Sequence, residues 1–113
     1  MHIDAFEYGS ITIDGRTYRT DLLIWPGHIK HDWWRGEGHR LQLADVAEVL
    51  TSNPQVLVVG TGVHNRMQVD PELILYLKEQ GIELLARPTP EACQSINGLS
   101  DKRRLAAALH LTC

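Results

Sequence analysis

The sequence predicts an α/β fold in which short apolar strands alternate with amphipathic helices in one sheet. Three observations lead there. Residues 56–59 and 82–86 are short apolar runs bounded by turn-forming residues, the pattern of strands covered on both faces. Asp70-Pro71 and Thr89-Pro90-Glu91 each set a capping residue ahead of a proline, which is how a helix opens. Strand and helix then alternate along the chain, and that order favours largely parallel strands with helical crossovers.

The elements follow in order. Residues 10–25 read as a hairpin about Asp14-Gly15, a pair suited to a type I′ turn because both positions need positive φ. Ile11 and Ile13 alternate with Thr12 and Asp14 as in a half-buried edge strand. The second arm ends in Leu22-Leu23-Ile24-Trp25, a fully apolar run expected to be covered on both faces, and Pro26-Gly27 breaks it. Residues 28–40, HIKHDWWRGEGHR, have no helical period and read as a loop with a short extended piece at Trp33-Trp34. Leu43, Val46, Ala47 and Leu50 fall at i, i+3, i+4 and i+7, the apolar face of a helix that Asn53-Pro54 ends. After the strand at 56–59, Asp70 caps a second helix with Leu73, Ile74 and Leu77 facing inward and Gly81 closing it in the αL conformation. The buried strand at 82–86 leads to a third helix, capped by Thr89 and stopped by Asn97-Gly98. The closing RRLAAALHLTC favours helix by local propensity, whereas a terminal strand there would close the sheet. No internal repeat or low-complexity linker interrupts the chain, so residues 1–113 are expected to form one domain.

Composition bounds the function. A chain of 113 residues, 43% hydrophobic and 22% charged, has an ordinary globular composition. A net charge of -3 argues against nucleic-acid binding, which needs a basic surplus to neutralise phosphates. Lys102, Arg103 and Arg104 form a local basic run that reads as a solvated face. Cys93 and Cys113 have no metal-ligand spacing; reduced thiols fit them better than a disulfide, although that pairing stays open. The first residues, MHIDAFEYGS, show neither a secretory nor a mitochondrial targeting pattern. No apolar run approaches the ~20 residues of a membrane span. The expectation is a cytoplasmic protein without membrane insertion.

The glycine turn Gly60-Thr61-Gly62 is the most chemical-looking feature. A dinucleotide fingerprint would require a third glycine where Asn65 stands, and a helix starting inside the motif rather than near Asp70. A P-loop would require a lysine followed by serine or threonine. The turn therefore reads as a corner, with Gly60, Thr61 and Gly62 flanking a crevice that Thr89 and Cys93 are expected to share. His28, His31 and His39 cluster in sequence but lack a helix to align them or a cysteine to complete a tetrahedral set, so no metal site is expected. Cys93 near a helix start is open to ionisation, but Ala92 and Ile96 around it favour a packed, inert thiol. In Trp33-Trp34-Arg35, one indole can fill the core while the other meets a partner, and aromatic and arginine side chains are enriched at interaction hot spots. No catalytic constellation and no cofactor motif is present in the sequence.

Several motifs occur together and in one order: Trp33-Trp34-Arg35, Gly36-Glu37-Gly38-His39, Val58-Val59-Gly60-Thr61-Gly62, Tyr76 through Ile82, Thr89 through Cys93, and Asn97-Gly98-Leu99 followed by Arg103 through Leu109. In these the chain resembles the small Mth-type domain family of unknown function, which includes the adipogenesis-associated Mth-domain-containing protein and mitochondrial complex I assembly factor three. The resemblance implies a compact three-layer α/β domain with a mixed central sheet, and RRLAAALHLTC as a last, antiparallel strand rather than a helix. It supplies no catalytic residues. Ile96-Asn97 stands where the family often has Tyr-Asn, so any role for that tyrosine is lost here. The function implied is a non-enzymatic interaction or assembly-factor-like module, monomeric or weakly dimeric, with Trp33, Trp34 and Arg35 as its surface. The alternative is a small-molecule site or an unassigned enzyme using the cleft beside Gly60-Thr61-Gly62.

Overall fold

The computed structural model describes residues 1–113. Along the chain run β1 (Ile3–Glu7), β2 (Ser10–Ile13), β3 (Arg16–Tyr18), β4 (Leu22–Trp25), β5 (His28–Lys30), β6 (Arg40–Leu41), α1 (Leu43–Leu50), β7 (Val56–Thr61), β8 (Gln68–Val69), α2 (Pro71–Glu79), β9 (Glu83–Arg87), α3 (Thr89–Leu99) and β10 (Leu105–His110). Five strands make the central sheet in the order β5-β4-β10-β7-β9, while β1-β2-β3 form a separate sheet and β6 pairs with β8.

The Ala-rich segment at the C-terminus is the middle strand. β10 runs parallel to β7, from Leu105 opposite Val56 to His110 opposite Thr61, and antiparallel to β4, with Ala107 opposite Ile24. It is thus antiparallel on one side only. All six of its residues are buried. As a helix this segment would leave the facing edges of β4 and β7 with unpaired buried backbone groups, a cost that outweighs the modest helical preference of alanine. The small side chains of Ala106, Ala107 and Ala108 also let both flanking layers approach the sheet.

Those layers divide the core. Leu23, Leu57, Val59, Ala106 and Ala108 meet Val46 and Val49 of α1 and Leu73 and Leu77 of α2. Leu22, Ile24, Val56, Val58, Ala107 and Leu109 meet Ala92, Cys93 and Ile96 of α3, together with Ile3, Ile11 and Ile13 of the small sheet. The result is three layers about a mixed sheet. No helix is long and apolar enough to cross a membrane.

The Asp14-Gly15 turn has φ of 48° and 82°, both positive as a type I′ turn demands. Its second arm divides: β3 stays with the small sheet, and after residues 19–21 the chain enters the central sheet as β4. The pairing of β1 with β2 had no clear sequence signal. Extended structure in the histidine-rich segment lies at β5 and β6 rather than at Trp33-Trp34. Asp70 is the residue before α2, but its carboxylate turns to Arg40 instead of capping. Ala47 and Ile74 face solvent, not the core. Thr89 is the first residue of α3, with Pro88 at the cap position, and the helix passes through Asn97-Gly98 to Leu99. Asn97 instead ties α3 to β1: its side chain accepts from Ile3 N–H at 2.8 Å and donates to Ile3 C=O at 2.9 Å. Strand β9 lies at the sheet edge and is only partly covered.

Candidate functional site

The glycine corner closes the carboxyl end of β7. A Cβ on Gly60 would stand 2.9 Å from both Leu109 Cδ2 and Thr89 Oγ1, and one on Gly62 would stand 2.1 Å from the Cys113 carbonyl carbon. Gly62 N–H donates to the buried Thr89 hydroxyl at 2.9 Å, and that hydroxyl donates to His110 C=O at 2.6 Å. Val63 and His64 N–H donate to the Thr112 and Cys113 oxygens at 2.6 and 3.2 Å. Gly60, Thr61, Gly62 and Thr89 are therefore brought together, and Thr112 and Cys113 pack against the turn on the side where a crevice was expected. Cys93, one turn further along α3, packs into the core, and its burial pushes the thiol up to about 12.

The tryptophan–arginine segment separates into a mount and an exposed tip. Trp33 is buried and its Nε1–H donates to Asp45 C=O at 3.0 Å. Trp34 is 85% exposed. Arg35 is not at the surface: only 6% of its side chain is accessible, and it pairs with Asp21 at 2.8 Å. Its Nε and Nη2 both donate to Gly38 C=O, at 3.1 and 2.8 Å, and its guanidinium lies 4.8 Å from the centre of the Trp33 ring. Trp33 and Arg35 thus hold the backbone on either side of Trp34, so of the three residues expected at a surface only Trp34 reaches it.

Asp21 is the hub that sequence reading missed. Its Oδ2 takes Arg35 Nη1 and His110 Nδ1, each at 2.8 Å, and its Oδ1 accepts Leu111 N–H at 2.8 Å. Its backbone carbonyl accepts Trp33 N–H at 3.1 Å. Burial opposes ionisation of this carboxyl, but the bonds from His110, Leu111 and Arg35 together more than offset it, and the group is held below the ordinary aspartate range. Because an ionised carboxylate only accepts, His110 carries its proton on Nδ1; the 3.2 Å approach of Arg35 Nη2 to that nitrogen is then donor against donor. Nε2 of His110 is buried and has no hydrogen-bond partner. An Asp–His pair can serve as a general base, and here the pair also ties β10 to the chain before β4 through Asp21. Weak signals existed: an aspartate before an apolar run, and a histidine inside one.

A family model described as "Protein of unknown function (DUF498/DUF598)" matches residues 3–110. The Danio rerio protein named NADH dehydrogenase [ubiquinone] 1 alpha subcomplex assembly factor 3 is 43% identical over 108 residues, which are 94% of this chain and 61% of that protein. The Xenopus tropicalis protein of the same name is 30% identical over 111 residues, 96% of this chain and 59% of the relative. The chain therefore spans about three-fifths of the length of these curated relatives. A conserved hypothetical protein from Pyrococcus horikoshii OT3 has the same fold, with a TM-score of 0.90 at 29% identity and 100% of both chains covered.

Proposed function

This chain belongs to the DUF498/DUF598 family of proteins of unknown function, and from that premise we propose that it is a non-enzymatic, assembly-factor-like module that binds another protein. The observation that carries the reading is the likeness, 43% identity along 94% of this chain, to a protein named as an assembly factor. The site geometry supports it. Trp34 is 85% exposed between two anchored neighbours, and tryptophan is among the side chains enriched at interaction hot spots. A rigid aromatic anchor loses little conformational freedom on binding, which is the property of an interaction hot spot. The module acts in the cytoplasm as a monomer or weak homodimer, without nucleic acid, cofactor or metal. The alternative, a small-molecule site beside Gly60-Thr61-Gly62, has less support, because Thr112 and Cys113 pack against that turn.

The test is affinity capture of partners by the tagged chain and by Trp34→Ala, with folding checked by circular dichroism. Loss of one specific partner in the variant supports the proposal. Identical partners at identical yield would remove Trp34 from the surface.

A further inference from the structure

At the end of the sheet away from the glycine corner, a groove of about 620 Å³ runs between the small sheet and the central one. Its walls include β3 and β5, and each of these strands pairs on one side only: β3 with β2, β5 with β4. Ile24, Ile29, Leu105 and the partly covered Tyr18 supply apolar lining, and Trp25 stacks on His28 with ring centres 5.1 Å apart. The rim carries Arg16, Arg103 and Arg104 against a single carboxylate, Asp14, which already accepts His2 N–H at 2.9 Å. Arg103 is paired with Glu83 at 2.5 Å. Arg16 lies over the Tyr18 ring, and Arg104 donates its Nε to the Asn53 carbonyl; neither has an acidic partner. In a chain of net charge -3, two guanidinium groups without carboxylates beside one groove mark a local reversal of sign.

We propose that this groove binds an extended acidic peptide segment with an apolar anchor residue, supplied by the protein partner; the inference rests on the interaction-module reading above. The unpaired strand edges decide for a peptide over a free anion. An extended chain can hydrogen-bond along β3 or β5 while alternate side chains enter the groove, which is how strand addition gives both affinity and specificity. Carboxylates of the same segment then reach Arg16 and Arg104, where an Arg–carboxylate pair adds a directed, forked contact. A free phosphate would use the arginines and leave the aromatic and aliphatic lining empty.

The experiment titrates the full ¹⁵N-labelled chain with a synthetic peptide of alternating Glu and Val around a central Phe. The same peptide with Lys for Glu, and inorganic phosphate, are run beside it. The expected result is amide shifts confined to Arg16, Thr17 and Tyr18, His28, Ile29 and Lys30, and Arg104 and Leu105 with the Glu peptide alone. Arg16→Glu, at an exposed position, should weaken that binding by about tenfold, while Glu72→Gln, at an exposed position on α2 away from the groove, binds the peptide as the unaltered chain does. Four results would overturn the proposal: equal shifts with the Lys peptide, the whole pattern reproduced by phosphate, shifts elsewhere in the molecule, or none. If the groove fails while Trp34→Ala still loses its partner, the interaction reading stands and only the groove is removed from it.

Discussion

Replacing Arg35 by alanine should cost about 3–4 kcal/mol of stability at pH 7. Breaking a buried ion pair by deleting one member ordinarily costs about 3–5 kcal/mol, because the other charge is left without compensation. Asp21 softens that: it keeps His110 and Leu111 N–H as donors and is 17% accessible, which places the loss at the low end. The contact with the Trp33 ring adds about 0.5–1 kcal/mol. The two bonds to Gly38 C=O add little, since the exposed carbonyl can take water. Against a total of about 5–15 kcal/mol for a typical domain this is a large fraction. Urea unfolding followed by circular dichroism measures it. Arg35→Lys keeps the charge but cannot span Asp21 and Gly38 with one fork, and should fall between the two. A loss below about 1 kcal/mol for Arg35→Ala, the range of an exposed pair, would show that the Asp21 hub does not hold the loop.

Other consequences follow from the same contacts. Asp21 is held below its ordinary range, so its contribution is fully present above the unfolded value of about 3.9 and is lost as pH falls through the lower folded value; Asp21→Asn should flatten the acid limb of a stability–pH curve, and an unchanged limb would refute the assignment. Gly62→Ala places a Cβ 2.1 Å from the Cys113 carbonyl carbon at a φ of 96°, so Thr112 and Cys113 must move; the variant should lose stability and hydrogen-exchange protection at the Val63 and His64 amides, and retained protection would contradict the packing. Cys93, its thiol raised to about 12 by burial, should label with iodoacetamide at pH 7 only through unfolding, measured in a Cys113→Ser background; rapid labelling of the native chain would mean an accessible thiolate.

Much of the fold was legible because its signals are local. Asp14-Gly15 supplied the turn, Asp70-Pro71 the start of α2, and Gly81, at φ 70°, its end. Boundaries failed where tertiary contacts override the local rule: Asn97 extends α3 because its side chain finds the backbone of β1, far away in sequence. That residues 105–110 form a strand came from family resemblance, which gave neither its middle place nor its parallel pairing with β7, since alanine cannot reveal that two strands wait on either side of it. The site was harder. Adjacent letters Trp33, Trp34 and Arg35 suggested one surface, whereas only the fold could show that Arg35 turns inward to Asp21 and His110, which lie 89 positions apart along the chain. Likewise a glycine corner reads the same whether or not, as here, Thr112 and Cys113 pack against it.

Under the proposed function, Trp34 is the point at which another protein is met. Photocrosslinking tests it most directly: benzoylphenylalanine placed at position 34, and in a control at the exposed Asp101, is irradiated in cells that make the full chain. One discrete protein adduct is expected from position 34, absent from position 101. No adduct at 34, or the same adducts from both positions, would contradict it.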